Sequence, residues 1–315
     1  MKVAKTLGVA ILVSVVLVVI MGQLGSLFWF LELFSHFQVQ YFIVSSLVFL
    51  LFLYLRSYCW ATVTLFICLI VFSSIAPYVV SGGGALLAAE PPVLGSKFRI
   101  MFYNTLVTNN DYDAIAREIS LQNPDIVILA ELTGVSYPEI KKRLSGYEFS
   151  SYQGGMVPYF DLAYFSRVPV NESVHYLSSF RIPTYDLGLS IDGKSLRLIG
   201  VHTSAPLGSR ESESRNGHLM KVASLVSASN TATVVLGDLN ITPWSPIFRG
   251  FIDVSGLREA RLGIGVLPSW NSGFASAMRI PIDHILTKGG PVVSNLWTGI
   301  SAGSDHLPII ADLRI

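Results

Sequence analysis

Val234-Val235-Leu236-Gly237-Asp238-Leu239-Asn240 is a short apolar run, rich in β-branched residues, that ends in an acid and an amide. A run of this length and composition is typical of a buried strand. Ser304-Asp305-His306-Leu307-Pro308 is a second stretch of this kind, because it brings an acid and an imidazole next to the last apolar run. Polar groups beside strand ends are the usual way in which an α/β scaffold builds a site.

Further apolar runs surround these two stretches. Strands are predicted at 98–103, 126–129, 162–165, 196–201, 233–236, 282–286 and 308–313, and amphipathic helices at 113–121 and 213–226. Together they predict one α/β domain over residues 97–315. The chain's two cysteines, Cys59 and Cys68, lie outside that domain, which excludes a cysteine nucleophile or a zinc–thiolate site within it.

The amino-terminal part predicts membrane helices. The whole chain is 51% hydrophobic, with a mean hydropathy of +0.54, which is too apolar for an ordinary soluble protein. The excess lies in a transmembrane region, residues 1–80, with predicted helices at 6–30, 39–58 and 59–80. A cleaved signal peptide is the alternative for the first helix, but two more apolar segments follow it. Residues 81–96 predict a Gly/Pro linker.

Basic residues predict the orientation of these helices. Lys2 and Lys5 precede the first helix, residues 31–40 contain no Lys or Arg, and Arg56 lies between the second and third helices. The positive-inside rule therefore predicts a cytoplasmic amino terminus and an outer location for the α/β domain. The charges of residues 91–315 balance, which counts mildly against a duplex-DNA substrate.

Polar residues follow four of the predicted strands and precede the last one. They are Asn104, Glu131, His202, the Asp238–Asn240 turn and the Asp305–His306 pair. Carboxylates, amides and imidazoles gathered at one place are the groups needed for metal-assisted attack of water on a phosphate ester. The pattern therefore favours a phosphoesterase.

The chain from about Lys97 to Ile315 resembles the endonuclease/exonuclease/phosphatase superfamily, and bacterial membrane-anchored members in particular. The matching motifs, in the family's order, are Asn104 after a strand, Glu131 after Pro124-Asp125-Ile126-Val127, Ser166-Arg167-Val168-Pro169, His202, Gly237-Asp238-Leu239-Asn240 continuing into Thr242-Pro243-Trp244-Ser245-Pro246, Ile282-Asp283-His284-Ile285 and Gly303-Ser304-Asp305-His306-Leu307-Pro308. The resemblance implies a four-layer α/β sandwich, in which two packed β-sheets are flanked by helices, and a Mg²⁺ or Mn²⁺ site.

The resemblance also implies roles for these residues. Glu131 would be the main metal ligand, with Asn104 and Asp305 in or near the metal shell. The remaining roles are implied as follows: Asp238 would activate the attacking water, Asn240 would hold that water or the phosphoryl oxygens, His306 oriented by Asp283 would act as acid or charge stabiliser, and His202 would donate a hydrogen bond to the phosphoryl group.

Other residues have weaker patterns. Arg167 and Arg215 are candidate substrate-binding residues, although a solvated strand end or helix face is the commoner place for an arginine, and the same holds for His218. His284 is expected to be structural because strand alternation turns it away from Asp283. Trp244 and Trp270 are expected to pack rather than to stack on bases.

Three functions remain open from the sequence alone. The first is a metal-dependent phosphodiesterase in the bacterial cytoplasmic membrane, acting on nucleic acid or a lipid-derived phosphodiester on the outer side. The second is a catalytically silent binding module that keeps the fold. The third is an enzyme that is regulated through its membrane helices. The sequence indicates no firm protein partner.

Overall fold

The protein has a helical amino-terminal part and a larger α/β part, and a computed structural model describes residues 1–80, 97–154 and 159–315. The linker expected at residues 81–96 lies outside the described residues. The α/β part has the predicted fold class, with two β-sheets flanked by helices.

The amino-terminal part contains three helices that are long and apolar enough to cross a membrane, judged by length and composition. The elements are α1 (Lys2–Gln23), α2 (Trp29–Glu32), a 3₁₀ turn (Leu33–Phe37), α3 (Gln38–Tyr54) and α4 (Tyr58–Val79). Because the chain reverses direction after α1 and again after α3, the carboxyl-terminal ends of α1 and α4 lie at the same end of this helical part as α2.

The first helix ends at Gln23, seven residues earlier than the sequence predicts. Two glycines account for the difference, because each allows close contact with the returning chain. A Cβ atom on Gly25 would lie 2.6 Å from Cα of Glu32, and one on Gly22 would lie 2.8 Å from the nitrogen of Ser35. The chain can therefore turn back immediately after α1.

The α/β part contains two six-stranded sheets. The strands are β1 (Lys97–Asn104), β2 (Ile126–Ala130), β3 (Phe149–Gln153), β4 (Leu162–Ser166), β5 (Asn171–Tyr176), β6 (Pro183–Ile191), β7 (Lys194–His202), β8 (Thr233–Asp238), β9 (Arg258–Glu259), β10 (Asp283–Lys288), β11 (Val292–Thr298) and β12 (Ile309–Arg314). Their spatial orders are β11-β12-β1-β2-β4-β3 and β5-β6-β7-β8-β10-β9. The helices are α5 (Tyr112–Gln122), α6 (Ser136–Arg143), α7 (Ser209–Ser227) and α8 (Pro246–Ser255).

The core has the layers of a sandwich. Ile100, Phe102 and Ile128 from the first sheet pack against Leu198 and Leu236 from the second. Alternate residues of the same strands face outward and are covered by helices, because successive strand residues point to opposite faces. The first sheet is covered by α5 and α6, and the second by α7 and α8.

Gly237 allows the two central strands of the second sheet to approach closely. It lies in β8 opposite Val201 of β7, and any Cβ atom at this position would overlap the carbonyl oxygen of Val201. Backbone atoms cannot move aside as a flexible side chain can. The glycine before Asp238 is therefore required by packing, independently of any chemistry.

We expect Gly237→Ala to lower the free energy of unfolding by on the order of 3 kcal/mol, because it forces two strands apart. The measurement is the unfolding midpoint of the full chain in detergent. Gly250→Ala is the matched control, because Gly250 lies in α8 and a Cβ atom added to it would have no other atom within 4 Å. The control should leave the midpoint unchanged or raise it, since alanine favours a helix by about 0.5–1 kcal/mol over glycine. Equal midpoints for the two variants would contradict the packing argument.

Candidate functional site

The topology brings the predicted site residues to one edge of the sandwich. β1 and β2 run parallel, so Asn104 lies level with Ala130, the residue before Glu131. β7 and β8 also run parallel, and His202 lies opposite Asp238. Because parallel strands end at the same edge, the polar residues that follow them meet there.

Two antiparallel strands, β10 and β12, begin at this same edge. β10 begins with Asp283 directly opposite Asp238. β12 begins with Ile309 opposite Phe102 of β1, so the turn that carries Asp305 and His306 lies beside the end of β1.

Asn104 connects the carboxylates of the two sheets. Its Nδ2 donates to Oε1 of Glu131 at 2.8 Å and to Oδ2 of Asp238 at 3.1 Å. Glu131 has a left-handed backbone, with φ of 60°, and its Oε2 accepts from the backbone N–H of Val107. Burial raises the pKa of Glu131, although these two hydrogen bonds oppose the rise.

Asp238 is the buried carboxylate at the centre of the site. It is 1% exposed, and its Oδ1 accepts from the backbone N–H of Asn240 at 2.9 Å. The Asn240 side chain in turn donates to the carbonyl oxygen of Thr203, and Asn240 has a left-handed φ of 49°. Burial raises the pKa of Asp238 to about 7, against the opposing positive charge of His306.

His306 is paired with Asp283, as the resemblance implies. Its Nδ1 lies 2.9 Å from Oδ2 of Asp283, and its Nε2 lies 3.6 Å from Oδ2 of Asp238. Burial alone would lower the pKa of His306, but the carboxylates of Asp283 and Asp238 outweigh it and raise the pKa to about 10. The imidazole is therefore protonated at neutral pH.

His202 has the opposite electrostatic state. Its Nε2 lies 3.8 Å from both Oε1 of Glu131 and Oδ2 of Asp238. Burial, reinforced by the charge of His306, lowers the pKa of His202 to about 3. The site therefore holds one charged and one neutral imidazole at pH 7.

Asp305 is oriented by a tryptophan that the sequence pattern assigns to packing. The indole Nε1 of Trp270 donates to Oδ2 of Asp305 at 2.9 Å, and the backbone N–H of Ser272 donates to the carbonyl oxygen of Asp305. The segment after Trp270 thus forms one wall of the site. No sequence pattern distinguishes this tryptophan from a packed one.

One group of potential metal ligands lies at this edge among the described residues. Ligand atoms of Asp238, Asp283 and His306 lie within 4.8 Å of one another. Nδ1 of His306 is occupied by its hydrogen bond to Asp283. Of the ligands that the resemblance implies, Glu131 has 19% of its side chain exposed, and the side-chain oxygen of Asn104 accepts from the backbone N–H of Leu106.

The structure separates Arg167, one of the two candidate arginines, from the site edge. Arg167 follows Ser166, which pairs with Ile126 at the start of β2, so it lies at the opposite end of the sheet from Glu131. Its guanidinium lies over the ring of Tyr147. Contact between Arg167 and a substrate at this site is therefore a wrong expectation.

Arg215 and His218 are both buried inside the protein. Arg215 is 1% exposed, and its guanidinium bonds Glu32 and the carbonyl oxygen of Asn240. His218 is fully buried, with Nε2 at 2.7 Å from Oγ1 of Thr184. The solvated helix face is a wrong expectation for these residues, because their side chains lie inside the protein. Contact between Arg215 and a substrate stays a prediction.

His284 is structural, as strand alternation predicts. Its Nδ1 lies 3.1 Å from Oε1 of Glu259, and its Nε2 lies 2.8 Å from the carbonyl oxygen of Ile241. Arg261 also pairs with Glu259 and donates to the carbonyl oxygen of Asp283. Sequence reasoning missed this buried layer behind the site, because Glu259 and Arg261 have no motif around them.

Known structures share this architecture. An endonuclease/exonuclease/phosphatase structure from Beutenbergia cavernae has 18% identity and a TM-score of 0.58, with 70% of this chain and 72% of that chain covered. Danio rerio TDP2 complexed with a single-strand DNA product has 17% identity and a TM-score of 0.59, with coverages of 70% and 100%. A family structure from Bacteroides vulgatus has 16% identity and a TM-score of 0.59, with coverages of 70% and 99%.

These likenesses establish the fold. No curated protein matches the chain in sequence. The model of the endonuclease/exonuclease/phosphatase family matches residues 101–306, a range that runs from β1 to His306 and so contains the whole site edge. The chain therefore belongs to the endonuclease/exonuclease/phosphatase family.

Proposed function

We propose that this protein is a membrane-anchored, divalent-metal-dependent phosphodiesterase. The observation that carries the proposal is the meeting of Glu131 and Asp238 at the side chain of Asn104, with His306 beside Asp238. These residues come from distant parts of the chain. Hydrolysis requires one group that accepts a proton and another that donates one, and a carboxylate and a protonated imidazole are such a pair.

The donor atoms fit a hard cation such as Mg²⁺ or Mn²⁺. Glu131 and Asp305 offer carboxylate oxygens at the more open side of the site, with Asn104 beside them. We assign the cation to this set rather than to the Asp238–Asp283–His306 group, in which the imidazole and Asp283 are already paired. When bound there, the cation would supply positive charge to the phosphoryl oxygens.

The buried residues would handle the protons. Asp238, with its pKa raised to about 7, is suited to accept a proton from the attacking water. His306, protonated up to about pH 10, would donate to the leaving oxygen or stabilise its charge, and Asp283 would orient it. Neutral His202 would donate a hydrogen bond to the phosphoryl group, while Asn240 would hold the water or a phosphoryl oxygen.

Two substrate classes fit this proposal. A nucleic acid is one, since a solved relative carries a single-strand DNA product. A lipid-derived phosphodiester is the other, since three helices apolar enough to span a membrane precede the domain. The balanced charge of the domain gives duplex DNA no strong electrostatic attraction.

We expect Glu131→Gln to reduce kcat/KM on bis-p-nitrophenyl phosphate by about 10²-fold or more, because it removes a charged ligand from the cation site. Chelation of the purified full chain should abolish turnover, and Mg²⁺ or Mn²⁺ should restore it. Glu139→Gln is the matched control, because Glu139 is a surface residue paired with Lys142 and Arg143 on α6. It should leave kcat/KM unchanged.

Two outcomes would count against this assignment. Turnover that survived Asp238→Asn or His306→Ala would remove the proposed proton roles. Calorimetry that detected no Mg²⁺ or Mn²⁺ binding below millimolar concentration would favour the silent binding module. Plasmid DNA and sphingomyelin vesicles, assayed with the same preparation, would separate the two substrate classes.

We expect Asp283→Asn to lower the pKa of His306 by about 1–3 units, because it removes the carboxylate bonded to Nδ1. The protonated imidazole is the proposed acid, so the loss of activity at high pH should begin at lower pH in the variant. The measurements are an NMR titration of labelled imidazoles and a pH–rate profile. Asp186→Asn is the control, because Asp186 pairs with His175 and Arg197 instead. An unchanged His306 titration in Asp283→Asn would contradict the pairing.

We also propose that the protein resides in a bacterial cytoplasmic membrane with its α/β domain outside. A carboxy-terminal alkaline phosphatase fusion should then be active and a carboxy-terminal green fluorescent protein fusion dark. Fusions made after Arg56, between α3 and α4, should give the opposite pair of results. An active phosphatase after Arg56 together with an inactive one at the carboxy terminus would reverse the topology.

A further inference from the structure

The membrane helices and the α/β domain are joined by polar contacts at one end of the helices. Trp244 Nε1 donates to the carbonyl oxygen of Ser74 in α4, and Gln40 in α3 donates to the carbonyl oxygens of Ala277 and Arg279. Arg249 donates to Oε1 of Gln23 at the end of α1. All three long helices therefore contact the domain.

The most buried of these contacts is an ion pair. Nη2 of Arg215 lies 2.7 Å from Oε2 of Glu32, and both side chains are at most 1% exposed. Glu32 is the last residue of α2, and Arg215 lies in α7. A guanidinium stays charged at all physiological pH values, so a buried one needs a nearby negative charge.

Within the α/β domain, the described partners of Arg215 are neutral. They are the side-chain oxygen of Asn216 and the carbonyl oxygen of Asn240. In the described ranges 1–80, 97–154 and 159–315, Glu32 is the one carboxylate that forms an ion pair with Arg215. The charge that balances this buried cation therefore comes from the membrane region.

Arg215 connects this ion pair to the catalytic carboxylate. Its Nη1 donates to the carbonyl oxygen of Asn240 at 3.0 Å, and the N–H of Asn240 donates to Oδ1 of Asp238 at 2.9 Å. Three consecutive hydrogen bonds thus run from Glu32 to Asp238. Asn240 has a left-handed backbone, a conformation that needs support from its surroundings.

A second contact from the same membrane segment supports the same turn. Nδ1 of His36 lies 2.9 Å from Oγ1 of Thr242, two residues after Asn240, and Nε2 of His36 lies 3.5 Å from Oε1 of Glu32. Oε2 of Glu32 accepts from Arg215, and the imidazole that contacts Thr242 lies beside the other carboxylate oxygen of Glu32.

We propose that Glu32 and Arg215 are positioning residues, through which the membrane region holds the Asp238–Asn240 turn in its active geometry. The inference rests on the proposed phosphodiesterase function. It makes the amino-terminal helices a part of the working enzyme in addition to an anchor.

The test compares full-length variants in lipid nanodiscs. We expect Glu32→Gln to lower kcat on bis-p-nitrophenyl phosphate by about tenfold or more with KM changed less than twofold, because small displacements of reacting groups cost rate rather than binding. Hydrogen exchange of residues 236–245, followed by mass spectrometry, should become faster. Gln23→Ala is the matched control, because it removes a contact between the same two parts at Arg249. It should change neither readout.

The double variant Glu32→Leu with Arg215→Met separates positioning from stability. Replacing a buried ion pair with apolar side chains usually preserves or raises stability. We therefore expect an unfolding midpoint close to that of the wild type, with kcat still at least tenfold lower, because the carbonyl oxygen of Asn240 has lost its donor. Recovery of kcat together with stability in the double variant would overturn the proposal, as would a Glu32→Gln protein with wild-type kcat and exchange.

Hydrogen exchange also distinguishes this proposal from the proposed function. A wild-type protein without phosphodiesterase activity would overturn the function, whereas faster exchange at 236–245 in Glu32→Gln would still show the coupling. Should Glu32→Gln fail to fold, the double variant provides both readouts, and wild-type exchange in it would contradict the proposal.

Discussion

The site depends on balancing negative charge in a place that water barely reaches. Asp238 and Asp283 are each 1% exposed, and Glu131 lies close by. Burial of a carboxylate is unfavourable unless cations or hydrogen-bond donors surround it. Here the negative charge is balanced by the protonated imidazole of His306, whose pKa is raised. The amide of Asn104 and the backbone N–H of Asn240 also donate hydrogen bonds to Asp238. The same burial raises the pKa of Asp238 to about 7. The buried carboxylate is therefore able to take up a proton near neutral pH.

The sheet topology is what makes this concentration of charge possible. Parallel pairs at the centre of both sheets end at a common edge, and two antiparallel strands start there. Residues 200 positions apart are thereby held in direct contact, as where Oγ of Ser304 donates to the carbonyl oxygen of Asn104. The close approach at Gly237 also contributes to the site, because it sets the distance between the strands that carry His202 and Asp238.

Much of this could be predicted from the sequence, and the omissions have physical causes. Strands such as β2 and β8 are uninterrupted apolar runs because both faces are covered, so their pattern is plain. The predictions missed β3, β5, β6, β9 and β11. In β3 and β5 burial is partial and the residues are mixed, and β9 has only two residues. The sequence does not reveal the burial of Arg215, because a buried arginine and a solvated one have the same local pattern, and the partner Glu32 lies 183 positions away. The lone acid in an otherwise uncharged membrane segment was the available signal for that partner.

In a membrane, the contacts with α1, α3 and α4 would fix the height of the site above the lipid surface. Helices that are embedded in a bilayer diffuse in two dimensions, and a domain clamped to three of them at Gln23, Gln40 and Ser74 moves with them as one body. The enzyme would then search an area rather than a volume. Phosphodiesters bound at the membrane surface at that height would encounter the site often, whereas an equal number dissolved in the surrounding solution would rarely do so.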